Sequence, residues 1–228
     1  MLGREVISIK NKTIFLDRDG TINIDRDYVY KISDFEFIPN APNALKLLQD
    51  AGYLLIIITN QSGIARGYYT EDDYNVLNDW MLKTLKEKYN VHITASYFCP
   101  HHPSGAVEKY RIDCNCRKPQ IGLFEQAIKD FDIDVDHSFA VGDKLRDLAI
   151  CERQTEEQLL NFSDIHSIDK DQSGYQNEYQ DGEGCKGFLV GHKESEEVIR
   201  SVKAGERKNI KYCNDLYEAA KIRTCLHN

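Results

Sequence analysis

The sequence lacks any excess of basic residues: Lys and Arg total 29 against 37 Asp and Glu, a formal net charge of -8 over 228 residues. An acidic chain repels phosphate backbones, so bulk nucleic-acid binding is not expected. A small phosphorylated substrate is still compatible, because a few local cations and a metal can hold one. Long hydrophobic runs are also missing. The longest, YLLIII at residues 53–58, is strand-sized, well short of the ~20 residues a membrane-spanning helix needs, so no membrane partner is expected. Residues 1–10 carry neither the apolar core nor the small-residue cleavage site of a signal peptide, and a cytoplasmic location is the expectation. No internal repeat is visible. The cysteines are seven, an odd number, which with a cytoplasmic setting argues against a disulfide framework. Four of them, Cys151, Cys185, Cys213 and Cys225, are scattered and read as small buried or half-buried thiols. With no exposed apolar stripe, a monomer is expected.

What is present suits one larger domain. Hydrophobic residues make up 41% of the chain and charged ones 29%, enough for a proper core under a soluble surface. Residues 12–16 and 53–58 read as strands, the second apolar and β-branched enough for a buried parallel strand. Short strands are also expected at 95–98, 138–141 and 187–190. Helices are expected at 39–49, from Thr70 onward, at 121–131, along 145–160 and at 214–226. Thr70 and Asp73 resemble a capping pair. Strands alternating with helices imply an α/β fold, a mainly parallel sheet with helices on both faces. Residues 161–184 break this rhythm and read as a polar surface insertion, and 193–212 as polar loop and helix without nameable chemistry.

Chemistry gathers where strands end, which is where such sheets bind ligands. Asp17-Arg18-Asp19-Gly20-Thr21 follows the first strand. One carboxylate of such a pair can attack phosphorus, and the other can protonate the leaving oxygen and then deprotonate water. Gly20 permits a sharp turn out of the strand. Alone, this pattern is as readily a plain acidic turn. Asp143 strengthens it: Asp17 and Asp143 can give carboxylates, and Asp19 a backbone oxygen, to a hard divalent cation such as Mg²⁺. Gly142-Asp143 equally suits a helix N-cap. Thr59 and Lys118 offer a hydroxyl and a cation for phosphate oxygens, although a lone lysine is more often a solvated one.

These residues, in this order, resemble the haloacid dehalogenase-like phosphatase superfamily. The likeness implies a Rossmann-like core, Asp17 as nucleophile, Asp19 as general acid and base, and Mg²⁺. The runs FLDRDGTIN (15–23), TNQSGIARG (59–67), CPHHP (99–103), NCRKP (115–119) and GDKLRD (142–147) resemble, more narrowly, the family of D-glycero-D-manno-heptose 1,7-bisphosphate 7-phosphatases and their histidinol-phosphate phosphatase relatives. That resemblance spans about residues 15–152, with a weaker return at Gly187. It implies a phosphorylated sugar as substrate, contacted by Asp25, Arg26, Asp27 and Tyr28 and by Thr59, Asn60, Gln61 and Ser62. It implies recognition by Arg117, a phosphoryl group steadied by Lys118, and Lys144 nearby. A planar guanidinium at Arg117 suits a second phosphate. Histidinol phosphate or general small-metabolite esters remain the alternative substrates, and a non-catalytic zinc-stabilised scaffold the non-enzyme alternative.

Cys99-x-His101 and, further on, Cys114-x-Cys116 supply three sulfurs and one nitrogen, a closed tetrahedral zinc set. His102 is the rival fourth ligand; His101 is preferred because CxH matches the family pattern. A closed set leaves no position for water, so this zinc is expected to be structural, holding the loop that presents Arg117 and Lys118. The whole reads as one domain over 1–228, with a zinc loop at 99–116 and the insertion at 161–184.

Overall fold

The computed structural model describes residues 10–152, 184–191, 193–207 and 209–225. The insertion expected at 161–184 lies outside them except for Gly184, as do the expected helical residues 153–160 and the side chain of Cys225.

A parallel sheet organises these residues. Its strands are β1 (Thr13–Leu16), β2 (Leu54–Asn60), β3 (Ala95–Cys99), β4 (Phe139–Gly142), β5 (Lys186–Val190) and β6 (Ile210–Cys213), in the order β3-β2-β1-β4-β5-β6. The helices are α1 (Ala41–Asp50), α2 (Gly63–Arg66), α3 (Glu71–Tyr89), α4 (Gly122–Phe131), α5 (Ala149–Glu152), α6 (Glu196–Lys203) and α7 (Leu216–Cys225). Ile14 and Leu16 face one side of β1, with Leu55, Ile57, Val141 and Val190, packing on Leu45, Leu77, Met81 and Ala220 of α1, α3 and α7. Phe15, Ile56, Ile58 and Ala140 face the other side, against Leu123, Phe124 and Ala127 of α4 and Val202 of α6. Burial on both faces explains why β2 reads as an unbroken apolar run rather than an alternating one.

Local signals set the helix ends. The backbone N–H of Asp73 donates to Thr70 Oγ1 at 3.1 Å, and that of Thr70 donates to Asp73 Oδ2 at 2.8 Å. This reciprocal box opens α3 as expected, with Asp standing where Glu is usual. Asn90, left-handed at φ 54°, closes the helix. The stretch after β4 departs from the expected continuous helix: Leu145–Leu148 forms a 3₁₀ turn before α5 begins. Asp147 causes the tightening, since its carboxylate accepts the Lys144 N–H at 3.0 Å and is held by Lys118.

β6 is a strand where loop and helix were expected. Ile210 and Cys213 are buried, but Lys211 between them is exposed at the sheet edge, so the run shows no apolar core of its own. Cys151 and Cys185 are buried with their sulfurs 3.2 Å apart, and Cys213 is buried too, as read from the sequence. Among the described residues no helix is long and apolar enough to cross a membrane. The chain order reverses direction on either side of β1, between β1 and β4. That reversal opens a crevice beyond the carboxyl ends of the strands, and Asp17 stands in it.

Candidate active site

Asp17 follows the last residue of β1, with its backbone N–H donated to the Val141 carbonyl at 2.9 Å. Gly20 follows at φ +87°, and a Cβ there would lie 2.1 Å from Asp143 Oδ2. Glycine is therefore required twice, by the left-handed turn and by the close approach of the Asp143 carboxylate. Gly142 has a similar constraint, since a Cβ would meet Asp147 Cβ at 2.2 Å.

Lys118 is the hub of the crevice. Its Nζ is bonded to Asp17 Oδ1 at 2.7 Å, Asp147 Oδ1 at 2.7 Å and the Ile58 carbonyl at 2.6 Å, with a side chain only 1% exposed. Asn60 fixes the backbone that carries it: Asn60 Nδ2 donates to the Lys118 carbonyl and the Lys118 N–H donates to Asn60 Oδ1, each at 3.1 Å. Asn60, expected to meet substrate, is thus committed to holding Lys118.

Asp17, Asp143 and Asp147 bring carboxylate oxygens within 4.8 Å of one another. Lys118 pairs with two of these three buried carboxylates, Asp17 and Asp147, and leaves Asp143 beside them without that contact. Burial pushes Asp17 up to about 7, against the pull of Lys118 and with help from Asp147 and Asp19. Burial, then Asp17 and Asp147, push Asp143 up to about 8. This uncompensated charge, presented on hard oxygen donors, fits a divalent cation such as Mg²⁺. Asp143 does not cap the following turn; that position falls to Lys144.

Asp19 is oriented rather than buried. Arg18 Nε and Nη2 donate to it at 2.8–3.1 Å, and Gln61 Nε2 donates to its Oδ2 at 3.0 Å. Gln61 also donates to Thr59 Oγ1 at 2.9 Å and accepts from the Tyr69 hydroxyl at 2.6 Å. Because Thr59 Oγ1 accepts from Gln61, its own proton remains to donate elsewhere. Arg18, between the two aspartates, is 1% exposed, donates also to the Val29 carbonyl at 2.8 Å and leaves Nη1 without a partner.

Beyond these groups lies a cleft of about 390 Å³. Asp17, Asp19, Asp143, Thr59, Asn60 and Gln61 line it. Asp25, Asp27, Tyr28, Ser62, Arg117 and Lys144, all read from the sequence as substrate contacts, line it too. Asp27 and Tyr28 are both left-handed, at φ 56° and 57°, and the Asp27 N–H donates to Asp25 Oδ1 at 3.0 Å. Arg26 turns away, donating to Glu36 and to the Asp34 carbonyl. Arg117 is half-buried and donates to the His101 carbonyl at 3.3 Å. Burial lowers its pKa from the ordinary value, and nearby Arg146 and Arg66 act in the same direction. Lys144 donates to the Lys193 carbonyl, and Lys193 Nζ lies 3.5 Å from Asp25 Oδ2.

At the end of β3, Cys99, His101, Cys114 and Cys116 converge. Sulfur–sulfur distances are 3.2–3.7 Å, and His101 Nδ1 lies 3.8 Å from Cys99 Sγ and 3.3 Å from Cys116 Sγ. A tetrahedron with metal–sulfur bonds of ~2.3 Å has edges of roughly 3.8 Å, so this donor set fits zinc. His102 instead faces Arg66 at 3.1 Å.

Several residues were not singled out from the sequence. Asp147 lay inside the quoted GDKLRD, and its place one turn after Asp143 was the available signal. Arg66 lay in TNQSGIARG. Arg18 lay in FLDRDGTIN and Arg146 in GDKLRD without a role being read for either; Tyr69 gave no local signal, and Lys193 is brought to Asp25 only by the fold.

This parallel sheet, with Asp17 and Asp19 after β1, Thr59 in β2, Lys118 before α4 and Asp143 after β4, is the haloacid dehalogenase-like phosphatase architecture. Within it the chain belongs to the polynucleotide kinase 3 phosphatase family, whose profile matches residues 12–169. It is 55% identical over 141 residues, 62% of this chain and 77% of the relative, to D-glycero-beta-D-manno-heptose-1,7-bisphosphate 7-phosphatase of Haemophilus ducreyi. It is 50% identical over 144 residues, 63% of this chain and 78% of the relative, to D-glycero-alpha-D-manno-heptose-1,7-bisphosphate 7-phosphatase of Photorhabdus laumondii. The crystal structure of D,D-heptose 1,7-bisphosphate phosphatase from B. bronchiseptica with magnesium and phosphate superimposes with a TM-score of 0.67 at 27% identity, covering 94% of this chain and 99% of that one.

Proposed function

We propose that the chain is a Mg²⁺-dependent phosphatase that hydrolyses the 7-phosphate of D-glycero-D-manno-heptose 1,7-bisphosphate and leaves heptose 1-phosphate. The observation that carries the reading is the Asp17–Lys118–Asp147 chain of 2.7 Å contacts beside Asp143 at the strand ends. It is supported by relatives of that name with either anomeric designation.

An Asp17 carboxylate oxygen attacks phosphorus in line with the ester oxygen, and an aspartyl-phosphate forms as the P–O(sugar) bond breaks. Asp19 gives its proton to the departing sugar oxygen. It then takes a proton from the water that attacks the aspartyl-phosphate, which releases inorganic phosphate and restores Asp17. Arg18 and Gln61 aim Asp19 for both transfers. Lys118 Nζ and the Thr59 hydroxyl donate to the equatorial oxygens. Asp17 and Asp143 carboxylates and the Asp19 carbonyl would hold Mg²⁺, with Asp147 beside them. When bound, that ion supplies charge neutralisation between the carboxylate nucleophile and the phosphate dianion. Cys99, His101, Cys114 and Cys116 would hold a structural zinc, closed to water, that fixes the loop bearing Arg117 and Lys118. The reading includes one phosphatase domain over 1–228, with the polar insertion at about 161–184 within it, acting as a cytoplasmic monomer, a location in keeping with thiols that must stay reduced to bind metal.

The test is phosphate release with Mg²⁺ from both anomers of heptose 1,7-bisphosphate, fructose 1,6-bisphosphate, histidinol phosphate and a 3′-phosphorylated oligonucleotide. Strong preference for one heptose anomer is the expected result. Preference for histidinol phosphate or the oligonucleotide would reject the heptose substrate while keeping the Asp17 chemistry.

A further inference from the structure

The loop of residues 25–28, along one wall of the cleft, holds a conformation it would not adopt alone. Asp27 and Tyr28 are both left-handed, at φ 56° and 57°. Bulky side chains rarely enter that region, and two in a row persist only where the surroundings impose them. The local sequence supplies one restraint, the Asp27 N–H donated to Asp25 Oδ1 at 3.0 Å. The others come from far along the chain.

Lys193 Nζ lies 3.5 Å from the second Asp25 oxygen, Oδ2. The segment bearing Lys193 is itself tied to the turn after β4. Lys144 Nζ donates to the Lys193 carbonyl, and the Leu145 N–H donates to Glu194 Oε1 at 2.9 Å. At the other end of the loop, Tyr28 meets Tyr68 edge to face with ring centroids 4.7 Å apart, and Tyr30 stacks on Tyr69 at 5.0 Å. Two consecutive tyrosines thus grip two alternate ones. The Tyr68 N–H donates to the Gly63 carbonyl at 2.9 Å, and the Tyr69 hydroxyl donates to Gln61 at 2.6 Å, so the grip is anchored on α2 and the site. Tyr28 and Tyr68 are 40% and 55% exposed, so core packing does not account for their contact.

What the loop presents bears on substrate choice. Asp27 lines the cleft, and among the described residues no hydrogen bond or ion pair engages its carboxylate. An ionised carboxylate only accepts hydrogen bonds. Beside the Tyr28 ring it suits the hydroxyls of a sugar rather than a phosphate.

We propose that Lys193 and Tyr68 are positioning residues that hold the 25–28 loop in its left-handed turn, and so set the preference for a polyhydroxylated ester over one without hydroxyls. The inference rests on the phosphatase reading above and adds to it the residues that fix the wall facing the sugar. Neither residue lines the cleft; each acts through its partner, Asp25 or Tyr28. An exposed ion pair and an exposed ring contact are each worth only a few-fold in an equilibrium constant. Replacing either should therefore shift the loop without unfolding the protein.

The test uses the full chain with Mg²⁺. Lys193→Ala should raise KM for heptose 1,7-bisphosphate roughly 2- to 5-fold and Tyr68→Ala roughly 2- to 10-fold, the double variant exceeding either. kcat, and kcat/KM for 4-nitrophenyl phosphate, which offers no sugar hydroxyls, should stay close to wild type. Lys193→Arg and Tyr68→Phe keep the charge and the ring and should restore KM. Equal losses on both substrates would mean a general structural role and overturn the proposal; so would an unchanged KM in the double variant. A second measurement needs no substrate. In the free enzyme, amide hydrogen exchange across residues 25–30 should quicken in both alanine variants while β1 and β2 exchange as in the wild type. Unchanged exchange across 25–30 overturns the anchoring even if the heptose assignment stands. Quickened exchange in an enzyme that prefers another sugar phosphate, with KM for that ester raised in the same way, keeps the proposal and rejects the heptose assignment alone.

Discussion

Replacing Lys118 with methionine removes the buried cation held between the Asp17 and Asp147 carboxylates while keeping a chain of similar length. Lys118 Nζ touches Asp17 and Asp147 at 2.7 Å and is 1% exposed on its side chain, so solvent screening offers little relief. Breaking a buried pair by deleting one partner costs about 3–5 kcal/mol, because a charge is left uncompensated. At ~2–4 °C per kcal/mol for a chain of this size, metal-free Lys118→Met should melt roughly 6–20 °C below the wild type at pH 8.5. The deficit should depend on pH. Asp17 and Asp143 already sit near 7 and 8, raised from 3.8 chiefly by burial, and removing the ammonium raises Asp17 further. A carboxyl whose folded pKa lies above its unfolded value stabilises the fold below the unfolded pKa. That contribution is lost as pH rises through the folded pKa. At pH 5 Asp17 and Asp143 of the variant are protonated in the fold, and the deficit should shrink to a few degrees. Saturating Mg²⁺ should return part of the loss at pH 8.5, about 2.7 kcal/mol at a hundred times its dissociation constant. Differential scanning fluorimetry in EDTA and in Mg²⁺, at both pH values, measures all four arms. The turnover number should fall about 10²–10³-fold, as for loss of one donor to a developing anion. A variant that melts with the wild type at pH 8.5 without metal would refute the picture of Lys118 as the charge that holds the carboxylates together.

The other predictions use the same chemistry. Asp17→Asn should abolish phosphate release while leaving the circular dichroism spectrum unchanged; near-wild-type release would remove Asp17 as nucleophile. In the wild type without metal, the raised pKa values of Asp17 and Asp143 mean that this pair's stabilisation is lost as pH rises from about 4 to about 8. The gain in melting temperature on adding Mg²⁺ should therefore grow across that window, and a gain independent of pH would count against these carboxylates as the ligands. Stripping zinc with a thiol-competent chelator should lower the melting temperature and raise hydrogen exchange across residues 99–118 more than around Asp17 and Asp143. Equal stability with and without zinc would reject a structural role for the cluster.

How much of this was legible depended on whether the cause was local. The sheet was, because buried parallel strands write themselves as apolar runs followed by polar loops, as at 54–60 and 139–143. Asp17, Lys118, Asp143 and the cysteine cluster were legible because each sits in a short pattern that a motif preserves. β6 was not, since an edge strand of four residues with Lys211 exposed carries no run to detect. Arg18 was read past as the spacer between two aspartates, yet it is buried and bonded to Asp19 and to the Val29 carbonyl. Those partners meet it only after the turn following β1 has folded back. Lys193, whose Nζ lies 3.5 Å from Asp25, is farther still in sequence from its partner, and no window of residues contains both.

The same distinction explains why the cysteine cluster matters to chemistry in which it takes no part. Cys116, Arg117 and Lys118 are consecutive, so fixing Cys116 fixes the start of the segment that carries both cations. Asn60 clamps the Lys118 backbone from β2 with two hydrogen bonds of 3.1 Å, and Asp17 and Asp147 hold its side chain. The Arg117 side chain lacks such anchors: its guanidinium donates to the His101 carbonyl at 3.3 Å, and His101 is itself a member of the cluster. Lys118 is thus held from three directions, and the Arg117 guanidinium, among the described residues, from the cluster. Loosening the cluster should therefore injure recognition through Arg117 before it injures phosphoryl transfer through Lys118. In kinetic terms, KM for a doubly phosphorylated substrate rises before kcat falls.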